Sequence, residues 1–314
     1  MGVYNAGDAL RATVDSILSQ TFGDFELLVV NDGSTDSTRS LLETYEKSDA
    51  RVRVLEQSHS GLTRALILGC GEAKGRLIAR HDCGDVSMPE RFERQQETLT
   101  GPGSPGFVSC LTRFEGPCGE FMFFSDGGCS DQRPFSVAEA NRSRHGVKGP
   151  SHHGSVMMKR ACYEDAGGYR AAFVLSQDWD LWYRVGEIAS FSLLQEVLYR
   201  ARHTVGGLSL TRKKEQARYG KLAHDCLLAR KARGDDSPVL AAFPPVNARA
   251  SAPPSSRDTA KAYYFIGECL RKNRDLRARE YFIQSLHKDP FCWKSWIRLF
   301  QARWNLHRHS LVEK

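Results

Sequence analysis

Two aspartates stand three residues apart in Ala79-Arg80-His81-Asp82-Cys83-Gly84-Asp85, directly after the strand-like stretch Arg76 to Arg80. Hard oxygen ligands at a strand end suit Mg2+ or Mn2+ that also bridges phosphate oxygens, as chemistry on nucleotide diphosphates requires. The plainer reading is two solvated loop carboxylates, with His81 a packing or hydrogen-bonding residue. Asn31-Asp32-Gly33-Ser34 follows another apolar run, Glu26 to Val30. There Gly33 permits a positive backbone angle, and Ser34 or Asp36 can cap the next helix. Asp32 is placed to accept hydrogen bonds from a ribose hydroxyl or a base N–H, or simply from its own turn. A third group, Ser176-Gln177-Asp178-Trp179-Asp180-Leu181-Trp182, sets Asp178 at a helix start among large apolar residues. It is either a cap or, with apolar neighbours raising its proton affinity, a general base.

The elements that must hold these groups alternate. Leu10, Val14, Ile17 and Leu18 recur at helical spacing, followed by a strand at Glu26 to Val30 and a polar helix from about Asp36. A strand at Val52 to Leu55, a helix at Leu62 to Ala73 and the strand at Arg76 to Arg80 complete the series. Such alternation implies an α/β fold with a parallel sheet covered by helices. Ligands of open sheets sit beyond the carboxyl ends of the strands, which here are the loops Asn31 to Ser37 and His81 to Pro89. Gly101 to Ser151 is rich in Gly and Pro and reads as irregular structure with an edge hairpin around Phe121-Met122-Phe123-Phe124. Cys162 to Gly186 reads as helical with a turn at Gly167-Gly168, and Phe191 to Tyr199 as a strand.

With 314 residues, 41% of them hydrophobic and 26% charged, the chain is long enough for a large core and about two domains. No apolar run approaches the ~20 residues of a membrane span, and no basic segment followed by an apolar one opens the chain. A chain that neither spans a membrane nor is secreted by a conventional signal is therefore expected. Ala6 stands where a myristoylation signal needs Ser or Thr. The nine cysteines show no Cys-x-x-Cys and read as reduced cytoplasmic thiols rather than disulfides or a zinc site.

Charge is split unevenly. Residues 1–200 hold 21 Lys/Arg against 27 Asp/Glu, and residues 201–314 hold 23 against 10, so the halves carry −6 and +13. A basic tail on an acidic body suits nucleic acid, anionic lipid or a phosphorylated substrate, and equally a solvated surface. Nucleic acid is disfavoured, because Trp293, Trp296 and Trp304 have the near-helical spacing that more often packs a core. The tail reads as a basic helix over 211–234, a Pro/Ala/Ser-rich linker over 235–257, and a helical segment over 258–314. In that segment Tyr263, Ile266, Gly267, Leu270, Ala278, Phe282, Ser285 and Pro290 fall close to the tetratricopeptide pattern. A single such repeat must dock on the first domain, on a second copy or on a protein partner.

Together these segments resemble family 2 of the glycosyltransferases, inverting enzymes with the glycosyltransferase-A fold. The resemblance covers roughly residues 3 to 210, an ordinary domain length. Its pieces are Val3-Tyr4-Asn5-Ala6-Gly7, Ser19-Gln20-Thr21-Phe22, Glu26 to Asp36, Gly61 to Leu66, Ala79 to Arg91, His153-Gly154-Ser155-Val156-Met157, Gly167-Gly168-Tyr169-Arg170, Gln177 to Leu181, and Leu198 through His203.

The resemblance implies a nucleotide-diphospho-sugar transferase with a mostly parallel central sheet over residues 1–210 and a small all-α tail. It implies that Tyr4, Asn5, Asp32, Arg64 and Asp82 bind the nucleotide sugar, a UDP-sugar by preference. By the same likeness Asp82, Asp85 and His203 would hold Mn2+ or Mg2+, His153 and Gly154 would line the acceptor loop, and Asp178 would be the catalytic base. The acceptor would be a hydroxyl of a glycan or lipid-linked saccharide in cell-envelope or extracellular polysaccharide synthesis. The setting would be the cytoplasm, peripherally at the inner face of an anionic membrane.

Two departures stand out. The family has a hydrophobic strand of about six residues before the Val-Tyr-Asn turn, where this sequence has Met1-Gly2, so either a start upstream or a truncated product is expected. Gly84 replaces an aspartate that many members use on the metal, with Asp85 expected to take over, and Ile67 stands where Asn is usual. The alternative is an inactive relative whose C-terminal helices act as a scaffold. A sugar nucleotidylyltransferase is disfavoured because no Gly-rich basic phosphate loop precedes Asp32.

Overall fold

The apolar run around residue 29 forms the middle of a three-stranded parallel sheet, β1 (Gly2–Val3), β2 (Leu27–Asn31) and β3 (Val52–Glu56). The computed structural model describes residues 1–129, 133–141, 148–207, 212–243 and 255–301. All five residues of β2 are buried, which explains a continuous apolar run in place of alternation. Helices α1 (Ala9–Leu18) and α2 (Thr38–Ser48) connect the three strands. Leu10, Val14 and Ile17 of α1 enter one core with Val3, Val29, Leu42 and Val52.

The strands that follow form a second sheet from β4 (Leu77–Ala79), β5 (Val86–Ser87), β6 (Phe107–Glu115), β7 (Phe121–Ser125), β8 (Met157–Lys159) and β9 (Phe191–Arg202). Their order is β4-β8-β6-β9-β5, with β7 on β6. The pairs β4/β8, β6/β8 and β5/β9 are antiparallel. The expected mostly parallel sheet is therefore confined to β1–β3, where helices supply the long crossovers that parallel pairing needs. The Gly/Pro-rich stretch after residue 100 also holds more order than expected. Its Phe107–Glu115 strand lies between β8 and β9, with Phe107 to Cys110 fully buried. Around this sheet lie α3 (Leu62–Glu72), α4 (Arg91–Thr100), α5 (Val137–Ala140), α6 (Arg160–Asp165) and α7 (Gln177–Ile188).

Between β2 and β4 lies a cavity of about 1440 Å³, lined by Met1, Leu28, Leu77, Ile78, Arg80 and Leu99 among others. The ladder between β1 and β2 reaches only Val30 and Asn31. The buried α-amine of Met1 donates to the Leu28 carbonyl at 2.8 Å, and burial pushes its pKa down to about 5.

The chain divides into two compact units. One comprises Met1–Thr112, Phe124–Ala201 and Glu215–Ala250; the other comprises Arg113–Phe123, Arg202–Lys214 and Ser251–Lys314. The basic helix is α8 (Lys213–Arg233), whose Leu222, Ala223, Cys226 and Leu227 join a core with Phe173, Leu181 and Trp182. Packed structure continues past residue 235, where the linker was expected to begin. Asp236 pairs with Arg170 at 2.8 Å and with Arg230, and α9 (Ser237–Ala241) carries Pro238 in its first turn, where a missing N–H is tolerated. Val239, Leu240 and Phe243 pack on the same core. The linker prolines Pro244, Pro245, Pro253 and Pro254 lie outside the described residues, as does Trp304.

In the second unit α10 (Ser256–Lys272) starts at Ser255, whose side chain accepts the Asp258 N–H at 3.1 Å. It packs on α11 (Ala278–Lys288) through buried Ile266, Leu270, Phe282 and Leu286, and Tyr281 donates to Glu120 at 2.6 Å. This is the expected helical hairpin, and its tetratricopeptide character rests on the sequence pattern alone. Residues 293–301 are helical. No described helix is long and apolar enough to cross a membrane.

Candidate active site

Asp32 leaves the end of β2 and is buried. Its carboxylate takes the Gln57 side-chain amide at 2.5 Å, the Ser60 N–H at 2.7 Å and the Gly61 N–H at 2.9 Å, with His59 Nδ1 at 3.0 Å. The turn between β3 and α3 is thus tied to the tip of β2. Tyr4 covers this corner, its ring stacked on His59 at 4.0 Å while half of its surface stays exposed. Asn5, at a positive φ of 47°, accepts the Thr35 N–H at 2.8 Å and so fastens the loop after β1 to the loop after β2. Arg64 is exposed in the first turn of α3.

Asp82 and Asp85 follow β4. Arg80 holds Asp82 Oδ1 at 2.5 Å, and Tyr199 Oη accepts the Asp82 N–H at 3.1 Å while donating to Asp85 Oδ2 at 2.9 Å. Thr13 of α1 fixes the loop from below, taking the Gly84 N–H and donating to the Asp85 carbonyl, both at 2.9 Å. Gly84 has φ +95°, a conformation that an aspartate there would adopt only under strain. A third group with ligand chemistry joins them from elsewhere in the chain. His152 Nδ1 lies 3.8 Å from Asp82 Oδ2 and 3.7 Å from Asp85 Oδ2, and one atom from each of the three residues falls within 4.8 Å of the others.

The electrostatics suit a cation. Burial works against the Asp82 charge, but the Arg80 guanidinium beside it holds the carboxyl well below its usual range, so it stays ionised. Burial lowers the pKa of His152 and keeps the imidazole neutral, the form that ligates metal. An ionised Asp82, the second carboxylate of Asp85 and a neutral imidazole fit a divalent ion.

Asp178 begins α7. It is half-buried, its Oδ1 accepts the Trp179 N–H at 2.9 Å, and burial first, with Asp82's charge adding to it, raises its pKa to about 6. The start of α7 is anchored two residues later, where buried Asp180 receives Arg184 at 2.7 Å and Arg170. His153 donates to or accepts from Tyr169 Oη at 2.7 Å, and burial pushes its pKa down to about 3, so it acts as a neutral hydrogen-bonding group. Gly154 permits the same turn to pass Tyr199, since a Cβ there would stand 2.0 Å from Tyr199 Oη.

Of the residues expected at a site, the first unit brings Asp82 and Asp85 together, with Gly154 beside both Tyr199 and Asp82. His203 belongs to the second unit, where its ring stacks on Phe114 at 5.1 Å and meets Phe265 edge-on at 6.0 Å. Sequence reasoning missed two histidines. His152 was visible as the neighbour of His153 in Ser151-His152-His153-Gly154, whereas nothing in the sequence marked His59 as the ring under Tyr4.

The parallel half carries the Asp32 corner at the end of β2, and the same unit carries Asp178 and an Asp/Asp/His group that could hold a divalent ion. The sequence model described as "Glycosyl transferase family 2" matches residues 1–165, and the chain belongs to that family. A Bacillus subtilis (strain 168) protein named as a glycosyltransferase, EpsE, is 31% identical over 209 residues, which cover 64% of this chain and 71% of EpsE. A Pasteurella multocida (strain Pm70) chondroitin synthase is 24% identical over 196 residues, 62% of this chain but 19% of that much longer protein. The fold matches the Staphylococcus aureus TarS 1–349 structure in complex with UDP at a TM-score of 0.54 and 16% identity, covering 90% of this chain and 73% of that one.

Proposed function

We propose that this transferase moves a sugar from a UDP-sugar to a hydroxyl of a glycan or lipid-linked saccharide, with inversion at the anomeric carbon, during envelope or extracellular polysaccharide synthesis. The observation that carries the reading is Asp178, a half-buried carboxyl raised to about 6 in the unit that holds the Asp82, Asp85 and His152 group. A carboxylate with that proton affinity serves as a base near neutral pH. It would take the proton of the acceptor hydroxyl as that oxygen attacks the anomeric carbon and the bond to the departing diphosphate breaks.

Asp32 would accept from the uracil or ribose, Tyr4 would offer its exposed ring face to the base, and Asn5 and Arg64 would border the nucleotide. Asp82, Asp85 and His152 would hold Mn2+, which when bound offsets charge on the diphosphate. His153 and Gly154 would keep their expected place in the acceptor loop. The UDP reading draws support from the TarS complex with UDP, and the polysaccharide reading from a relative named chondroitin synthase. We further read the protein as cytoplasmic and peripheral to an anionic membrane surface, with residues 258–314 open to a protein partner or a second copy.

The test is release of UDP from a panel of UDP-sugars with Mn2+, followed by nuclear magnetic resonance of the product formed on an oligosaccharide acceptor. One donor should support turnover and give a product of inverted configuration. A retained configuration contradicts Asp178 as base in a single displacement.

A further inference from the structure

Helical residues 293–301 of the second unit are fastened on one side and largely exposed on the other. On the inner side Ser295 is buried and donates to Ser285 Oγ at 2.9 Å, and Arg298 pairs with Glu268 at 2.7 Å. On the outer side Trp293, Trp296 and Ile297 are 64%, 57% and 43% exposed. Spaced at i, i+3 and i+4, they form a single stripe along the helix, and the exposed Phe300 extends it. Soluble surfaces rarely carry contiguous large apolar groups without a use.

We propose that this stripe docks on an anionic lipid surface. Charge selects that occupant over a protein groove or a second copy. Residues 291–314 carry five Lys/Arg against one Asp/Glu, in a tail of net +13. Lys294 flanks the stripe, exposed, with its ammonium 5.7 Å from the centre of the Trp293 ring. Two such positive surfaces repel one another, whereas anionic headgroups attract them while the indoles settle at the headgroup boundary, where amphipathic rings are most stable. This deepens the peripheral-membrane reading above and is independent of the sugar-transfer chemistry, because lipid binding needs neither donor nor metal.

The experiment is sedimentation of the full chain with vesicles of phosphatidylcholine alone and of phosphatidylcholine with phosphatidylglycerol, read beside tryptophan fluorescence. The expected result is binding to the phosphatidylglycerol vesicles alone, reversed by salt, with a blue shift in emission. Trp293→Ala combined with Trp296→Ala should lower binding roughly tenfold or more, and Lys294→Gln about fivefold, at unchanged melting temperature. Equal binding by parent and double variant overturns the proposal, and so does failure of the parent to bind. A concentration-dependent dimer that the double variant abolishes would overturn it in favour of a self-association face. UDP release measured in parallel keeps a failure here separate from a failure of the transferase reading.

Discussion

Asp32 and the Asp82/Asp85 pair are both aspartate sites at strand ends, yet their surroundings differ. Asp32 is enclosed by two backbone N–H groups, an amide and an imidazole, all within 3.0 Å. Asp82 and Asp85 have Arg80 and Tyr199 on one side and an imidazole nitrogen 3.7–3.8 Å away on the other, too far for a hydrogen bond. The first is a rigid corner whose shape is fixed in folding. The second gathers two carboxylates and an imidazole within reach of one cation. The proposed division of labour, nucleoside at the first and diphosphate at the second, would then be built from two different kinds of surroundings.

The comparison breaks most visibly if both sites respond alike to losing a carboxylate. Asp82→Asn should lower UDP release by more than the roughly 10–100-fold typical of outer-shell changes at metal sites, and it should also lower the melting temperature, because the buried Arg80 loses its carboxylate partner. Asp32→Ala should act first on stability and nucleotide affinity. It strands the Ser60 and Gly61 N–H groups, costs about 1–3 kcal/mol in a denaturant titration, and weakens UDP binding equally in Mn2+ and in EDTA. His152→Gln sharpens the second site. Replacing imidazole nitrogen by amide oxygen should narrow the preference for Mn2+ over Mg2+ by about tenfold or less, read as the metal concentration at half-maximal UDP release.

Much of the fold was legible because helical and strand periodicities in residues 8–86 are strong and uninterrupted. The continuous apolar run of β2 and the i, i+3, i+4 pattern of α1 needed no tertiary information. What failed were features fixed by distant partners. Strand direction after β4 depends on which edge each segment meets, and Phe107–Glu115 was hidden by the Gly/Pro-rich residues flanking it. Asp236 looked like part of a linker because its partners Arg170 and Arg230 are contributed by other segments of the fold. At the site, Asp32, Asp82, Asp85 and Asp178 announced themselves by following strands or opening a helix. His152 is brought to Asp82 and Asp85 by a turn some 70 residues later in the chain, a proximity that no local pattern encodes.

The central claim is that Asp178 is the base, and it is tested most directly by comparing the parent and Asp178→Asn for UDP affinity, turnover and pH profile. Burial raises its pKa to about 6, and a base must be deprotonated to act, so parent kcat/KM should fall about tenfold per pH unit as pH drops below that value. The variant should bind UDP with Mn2+ as the parent does, lose roughly 10²–10⁴-fold in turnover, and show no acidic limb near pH 6. Turnover within a few-fold of the parent, or an acidic limb that survives the substitution, would contradict the account.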